Sequence, residues 1–238
     1  MADTPDIAQI AALIGDATRA KVLTALMADR ALTATELAQV ADVTKQTISA
    51  HLTKLLDAHL IEVQVQGRHR YFRLADAQVA HLIESLMGVA FRDRVQPGMQ
   101  SGPAAPALRK ARTCYDHLAG ELAVQICESM TASRALVVDH DGIALSARGH
   151  RLFGDFGIDT AALTGNRRVV CRTCLDWSER RFHLAGRLGA ELLQRVFELG
   201  WARRQRNSRA VLFTVQGERA LLDRFVHGVP VDAQQRSQ

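Results

Sequence analysis

The stretch from Thr44 to Leu74 constrains this chain more than any other, because its hydrophobic period switches there from helical to alternating without a break. Ile48, Leu52, Leu55, Leu56 and Leu60 recur at i, i+4, i+7, i+8 and i+12, the spacing of one helix face. Ile61-Glu62-Val63-Gln64-Val65 then alternates, Gln66-Gly67 supplies a turn, and Arg68 to Leu74 returns, which predicts a β-hairpin with Arg68, His69 and Arg70 at its tip. Upstream, Thr33-Ala34-Thr35-Glu36 is a capping-box pattern opening a short helix to about Ala41, with a turn at Asp42-Val43 and a new helix from Thr44. Pro5 to Ile14 and Thr18 to Met27 read as two scaffold helices.

Opposite its core stripe, the helix from Thr44 presents Lys45, Gln46, Ser49 and Thr53, flanked by Lys54. Two short helices joined by a tight turn, the second rich in donors on its outer face, meet the need of major-groove insertion. Gln and Ser can read base edges there and Lys can meet phosphates. Taken alone, this face fits an ordinary amphipathic surface helix equally well. The basic hairpin that follows tips the balance, since its charges would lie along the sugar-phosphate backbone and release counterions. The candidate DNA-binding residues are Thr44, Lys45, Gln46, Thr47, Ser49, His51, Thr53, Lys54, Arg68, His69 and Arg70. Net charge does not locate this surface. Up to Arg94 the chain carries 10 Lys+Arg against 11 Asp+Glu, and from Val95 onward 20 against 14. A DNA-binding first half therefore needs a local basic face.

Gly15-Asp16-Ala17-Thr18-Arg19, Thr35-Glu36-Leu37-Ala38, Thr47-Ile48-Ser49-Ala50-His51-Leu52 and Gly67-Arg68-His69-Arg70-Tyr71 resemble the ArsR/SmtB winged helix-turn-helix repressors over roughly residues 5–91. The resemblance implies a homodimer on a two-fold operator, a helix from Asp76 to about Phe91 (Val79, Leu82, Ile83, Leu86) packing between protomers, and DNA binding weakened by a ligand. Two family metal sites are missing. Leu37-Ala38-Gln39-Val40-Ala41 stands where a Cys-Val-Cys type motif would be. Asp76-Ala77-Gln78 and Val89 lack the histidines of the zinc-sensing members. His81 and Glu84 read as a partly solvated edge of the dimer helix.

Residues 95–107 hold three prolines and read as a linker between a domain of residues 1–94 and a second of residues 108–226, with a flexible tail at 227–238. The second half repeats itself loosely. Arg112-Thr113-Cys114-Tyr115-Asp116 recurs as Arg172-Thr173-Cys174-Leu175-Asp176, and His117-Leu118-Ala119-Gly120 as His183-Leu184-Ala185-Gly186. Ala144 to Gly149 with Leu152 matches Leu212 to Gly217 with Leu221. This predicts two helix-hairpin-helix units, with Cys114 and His117 on a helix whose core stripe is Ala111, Tyr115, Leu118 and Leu122. The whole is mainly α with small β-hairpins (α+β). Tails with RTC-[YL]-D and HLAG sequences resemble those of extended members of the same family. The hairpin from Trp201 to Val215 carries four arginines and reads as a second wing that could reach flanking DNA or as a solvated basic hairpin.

Cys114, His117, Cys171, Cys174 and His183 are candidate ligands for zinc or another soft divalent metal ion. A Cys171–Cys174 redox pair, plain buried thiols, and an organic effector walled by Tyr115, Trp177 and Trp201 are the rival readings. No Gly-rich cofactor loop, Ser elbow or carboxylate pair is visible, so an enzyme is not expected, although the CxxC keeps a redox protein as an alternative. A non-specific architectural DNA binder is another. Acidic residues near the N-terminus and the absence of a long apolar run predict a cytoplasmic chain without membrane contact. Its expected function is that of a DNA-binding transcriptional regulator, a repressor, acting on double-stranded operator DNA.

Overall fold

The computed structural model describes residues 6–28, 31–90, 105–139, 142–164, 169–206 and 208–228. The chain divides into two compact units, Met1–Ile83 and Glu84–Gln238.

The first unit contains α1 (Ile7–Ile14), α2 (Ala17–Leu26), β1 (Leu32–Thr33), α3 (Ala34–Ala41), α4 (Lys45–Asp57), β2 (Ile61–Gln66), β3 (His69–Leu74) and the start of α5 (Ala77–Ala90). Side chains cap the helix starts. Asp16 accepts from Arg19 N, Thr44 from Thr47 N, and Thr33 forms the full capping box with Glu36. Asp42, at a left-handed φ of 59°, ends α3 and aims the chain into α4. Val22, Leu23, Leu37, Ile48 and Leu55 are fully buried, so the stripe read from the sequence is the core face. Arg19 is buried too. Its guanidinium donates to the carbonyls of Ala12 and Leu13, which end α1 and would otherwise lack partners. The three strands form an antiparallel sheet in the order β1-β3-β2, with Gln66 opposite His69 at the hairpin tip.

The second unit is a run of hairpins and helices. It comprises α6 (Pro106–Lys110), β4 (Arg112–Cys114), β5 (His117–Ala119), α7 (Glu121–Ala132), β6 (Leu136–Asp139), β7 (Gly142–Leu145) and α8 (Ala147–Asp155). β8 (Arg172–Leu175), β9 (Phe182–Ala185), α9 (Gly186–Glu198), β10 (Ala202–Arg204), β11 (Val211–Phe213) and α10 (Val215–Leu222) follow, then a π-helical turn at Asp223–His227. The internal repeat is structural, but its unit is hairpin-helix-hairpin-helix, beginning one element earlier than the sequence suggests. The segment around Cys114 is a hairpin and not a helix. Ala111, Leu118 and Leu122 do face the core, as a helical stripe would. Tyr115, however, takes a left-handed φ of 57° in the turn, and Gly120 one of 95° after the second strand, which a continuous helix forbids.

Equivalent glycines in the two copies do the same work. Gly120 and its counterpart Gly186 have positive φ, and a Cβ on either would lie within 3 Å of a backbone carbonyl. Gly149 and Gly217 donate their N–H groups to the capping hydroxyls of Ser146 and Thr214 and sit against the carbonyls of Ala135 and Trp201, where a Cβ would collide. Both copies feed one core, in which Leu118, Leu122, Ile126 and Phe153 meet Leu184, Leu188, Leu192, Leu221 and Phe225. Of the linker read at 95–107, residues 95–104 lie outside the described residues, and Pro106 starts α6. Of the tail at 227–238, residues 229–238 lie outside them as well.

Candidate DNA-reading face and buried cysteine–histidine cluster

In the first unit the core stripe of α4 leaves Lys45, Gln46, Thr47, Ser49, Thr53 and Lys54 exposed on the opposite side. Ser49 and Thr53 donate their hydroxyls to the carbonyls of Lys45 and Ser49, leaving oxygen lone pairs outward. Thr44 and Thr47 share a hydroxyl–hydroxyl bond of 2.9 Å at the start of the helix. His51 differs from the others. It lies one residue before the core position Leu52, and its Nδ1 faces Asp16 at 3.6 Å and Arg19 at 3.4 Å, so it braces α4 on the scaffold. The backbone N–H of Arg19, its guanidinium and His51 together hold the Asp16 carboxyl below its usual range. At the hairpin tip Arg68, His69 and Arg70 are exposed, and behind them Arg73 pairs with Glu62 across the strands.

In the second unit, Cys114 and His117 are directly opposed in the β4–β5 hairpin, and Cys174 and His183 in the β8–β9 hairpin. Direct cross-strand pairing puts each Cys beside its His on one sheet face. The two pairs meet in the interior. Cys114 Sγ lies 4.0 Å from Cys174 Sγ, His117 Nε2 lies 3.1 Å from His183 Nε2, and the four donor atoms lie within 4.8 Å of one another, all on buried residues. Cys171, expected as a fifth ligand, stands apart, packed in the hydrophobic core and bonded to the backbone of Leu145. It is three residues before Cys174, ahead of the first strand residue, so it has no histidine opposite it.

Each histidine has an aspartate behind it. His117 Nδ1 is 3.1 Å from Asp116 Oδ1, and His183 Nδ1 is 3.5 Å from Asp176 Oδ2. Asp176 does more, accepting from the Arg112 guanidinium at 2.6 Å and from Gly120 N at 2.7 Å, while Arg112 stacks on Trp177 and donates to Ser178. The turn between β8 and β9, which carries Trp177 and Ser178, thus clamps the arginine of the first copy. Burial alone would raise the Asp176 carboxyl, but Arg112 and then His183 outweigh it and hold the group well below the usual carboxylate range. Burial opposes charge on His117, yet Cys114 and Asp116 carry its pKa up to about 9. The thiol bond to Cys174 and burial push Cys114 up. Burial raises Cys127 and Cys171 to about 11, leaving them poor nucleophiles at neutral pH.

Glu84 is buried rather than partly solvated, and burial raises its carboxyl against the pull of Arg209. The basic hairpin of the second copy is not simply solvated either: Arg204 lies over the Phe197 ring at 5.0 Å, and burial lowers the pKa of Arg209. Trp201 packs on Phe156 at 5.4 Å and Trp177 on Arg112, each engaged in packing, with Tyr115 in a hairpin turn. Sequence reasoning missed the roles of Asp116, Asp176 and Arg112. The signal was present as an aspartate two residues after the cysteine in both copies.

A helix-turn-helix domain model matches residues 14–64. The chain is 41% identical over 214 residues to the HTH-type transcriptional regulator YdfF of Bacillus subtilis (strain 168), an alignment covering 90% of this chain and 94% of that one. It is 29% identical over 111 residues to the HTH-type transcriptional regulator KmtR of Mycobacterium tuberculosis, covering 43% of this chain and 85% of that one. Among solved structures, the homodimeric winged helix-turn-helix DNA-binding domain Mb0332 of Mycobacterium bovis aligns at 26% identity over 38% of this chain and 90% of that chain, with a TM-score of 0.33. Among the described residues no helix is long and apolar enough to cross a membrane.

Proposed function

The chain belongs to the ArsR/SmtB family of winged helix-turn-helix transcriptional regulators, DNA-binding proteins rather than enzymes, and from that premise we propose that it is a homodimeric cytoplasmic repressor whose operator binding is modulated through its second unit. The observation that carries the DNA-binding part is the outward, donor-rich side of α4 followed directly by the basic tip of β2–β3. Lys45, Gln46, Ser49 and Thr53 enter the major groove with Gln46 reading a base edge, Lys54 meets the backbone, and Arg68, His69 and Arg70 track phosphates beside it. Thr44 and Thr47 fix the N-terminal turn of α4, and His51 fixes its seat on the scaffold.

Dimerisation is supported by α5. Val79 and Ile83 are buried, whereas Leu82, Leu86 and Val89 are 38, 41 and 54% exposed at i, i+4 and i+7. A helix with a buried apolar edge and a second, uncovered apolar stripe suits a partner helix. Of the effector classes open to a Cys- and His-bearing second unit, a metal ion has the best geometric support, because four potential ligands converge in the interior. Occupancy of that cluster would shift the dimer between forms of different DNA affinity.

Selection of sites from random duplex DNA by the full chain, followed by footprinting, tests the reading. Two half-sites about one helical turn apart are expected. Equal affinity for all duplexes at every salt concentration would contradict it and point to an architectural binder.

A further inference from the structure

The buried cluster of the second unit has a donor set whose arrangement restricts what can sit in it. Carboxylates only accept, so the 3.1 Å bond to Asp116 places the N–H of His117 on Nδ1, and the charge of Asp176, 3.5 Å from His183 Nδ1, favours the same form there. With both rings neutral, that tautomer turns both Nε2 lone pairs inward, where they lie 3.1 Å apart. Two lone pairs at that distance repel unless a cation lies against them. A single proton would satisfy the imidazoles but would leave the Cys114 and Cys174 sulfurs facing each other at 4.0 Å, with His117 and the buried Glu84 beside Cys114. A tetrahedral ion with bonds of about 2.3 Å to sulfur and about 2.0–2.1 Å to nitrogen needs sulfur–sulfur edges of about 3.8 Å and nitrogen–nitrogen edges of about 3.3 Å. The observed 4.0 and 3.1 Å are each within a few tenths of an ångström of those edges. A carboxylate behind each imidazole is the usual support of metal-bound histidine.

We infer that Cys114 Sγ, Cys174 Sγ, His117 Nε2 and His183 Nε2 bind one zinc-class divalent ion in a closed two-sulfur, two-nitrogen set, half of it supplied by each copy of the internal repeat. This rests on, and deepens, the reading of the second unit as the modulating part. Four protein ligands from buried strands complete the tetrahedron, so the ion is a clasp between the two hairpins and holds no substrate position. Each hairpin alone offers only one Cys and one His, so the ion couples the two copies. Any change in occupancy is felt in how they pack. The site lies outside the helix-turn-helix unit, where the sequence lacks the metal-ligand motifs of α3 and α5.

The test uses the full chain, purified without an affinity tag or chelator. Metal content by mass spectrometry and X-ray absorption at the zinc edge are expected to give about one zinc per chain, with two sulfur and two nitrogen neighbours. Cys171→Ser keeps that stoichiometry. Cys174→Ser lowers it, and because that variant could misfold, Cys174→His is made beside it and is expected to keep the ion with one sulfur fewer. Asp116→Asn weakens zinc about 10–100-fold by loosening His117. Zinc-free protein with four titratable thiols after incubation with zinc, a Cys114–Cys174 disulfide in the purified chain, or a coordination shell other than two sulfurs and two nitrogens would overturn the site. If the shell is as stated but operator affinity is the same with and without zinc, the site stands and the modulating reading fails. If zinc changes operator affinity in the wild type and equally in Cys174→Ser, the modulation survives and this site is refuted.

Discussion

The two units place their polar residues in opposite ways. In the first, among the described residues, the interior is apolar apart from Arg19, which closes the end of α1, and the residues with chemistry to offer stand outward on α4 and at the β2–β3 tip. In the second, Arg112, Asp176, His117 and His183 lie at the centre, each almost wholly buried. A surface that reads a polyanion must stay wet and basic. A cluster that discriminates an ion or a proton must be dry, because only there do charge and donor geometry act at full strength. The lesson of the contrast is that the outward polar set can be altered at small cost in stability, and the inward one cannot.

Substitutions in each unit probe that difference. The largest effect is expected for Asp176→Ala, which leaves the Arg112 guanidinium buried without its carboxylate and should cost about 3–5 kcal/mol, read by urea denaturation of the full chain. A loss under 1 kcal/mol would show that the centre of the second unit is not held by the Arg112–Asp176 pair. Leu55→Ala in the first core is expected to cost about 2–5 kcal/mol by cavity formation and to abolish DNA binding while zinc content is retained. Loss of zinc in that variant would mean that the units do not behave separately. Arg68→Ala combined with Arg70→Ala should leave the melting temperature unchanged and reduce the magnitude of the salt slope of DNA binding by about 2, one phosphate each. An unchanged slope would remove the hairpin tip from the DNA contacts. The smallest effect is expected for Thr44→Ala, about 1 kcal/mol from the lost cap on α4, seen as a small shift in the urea midpoint.

Legibility in the sequence follows the same division. The first unit is built from local signals: the capping box at Thr33–Glu36, the stripe from Ile48 to Leu60, and the alternation after Ile61, each readable within about a dozen residues. His51 borders the stripe, so the sequence groups it with the reading face, and only the fold shows it turned to Asp16 and Arg19. In the second unit the repeat was visible in RTC-x-D and HLAG, but the element type was not, since Ala111, Leu118 and Leu122 suit a helix and a short buried hairpin alike. The cluster is non-local. Its members are brought together across some sixty residues of chain by packing of one hairpin on the other, and no spacing rule separates Cys174 from Cys171. What does separate them is that Cys174 has a histidine directly across its strand.

Fluorescence anisotropy of a selected operator duplex, titrated with the full chain in zinc-loaded and zinc-stripped forms at fixed salt, tests the account at its centre. It predicts weaker operator binding by the loaded form, by about 5- to 150-fold, the range of ordinary allosteric coupling. Identical affinities for two preparations whose metal contents have been verified to differ would contradict it.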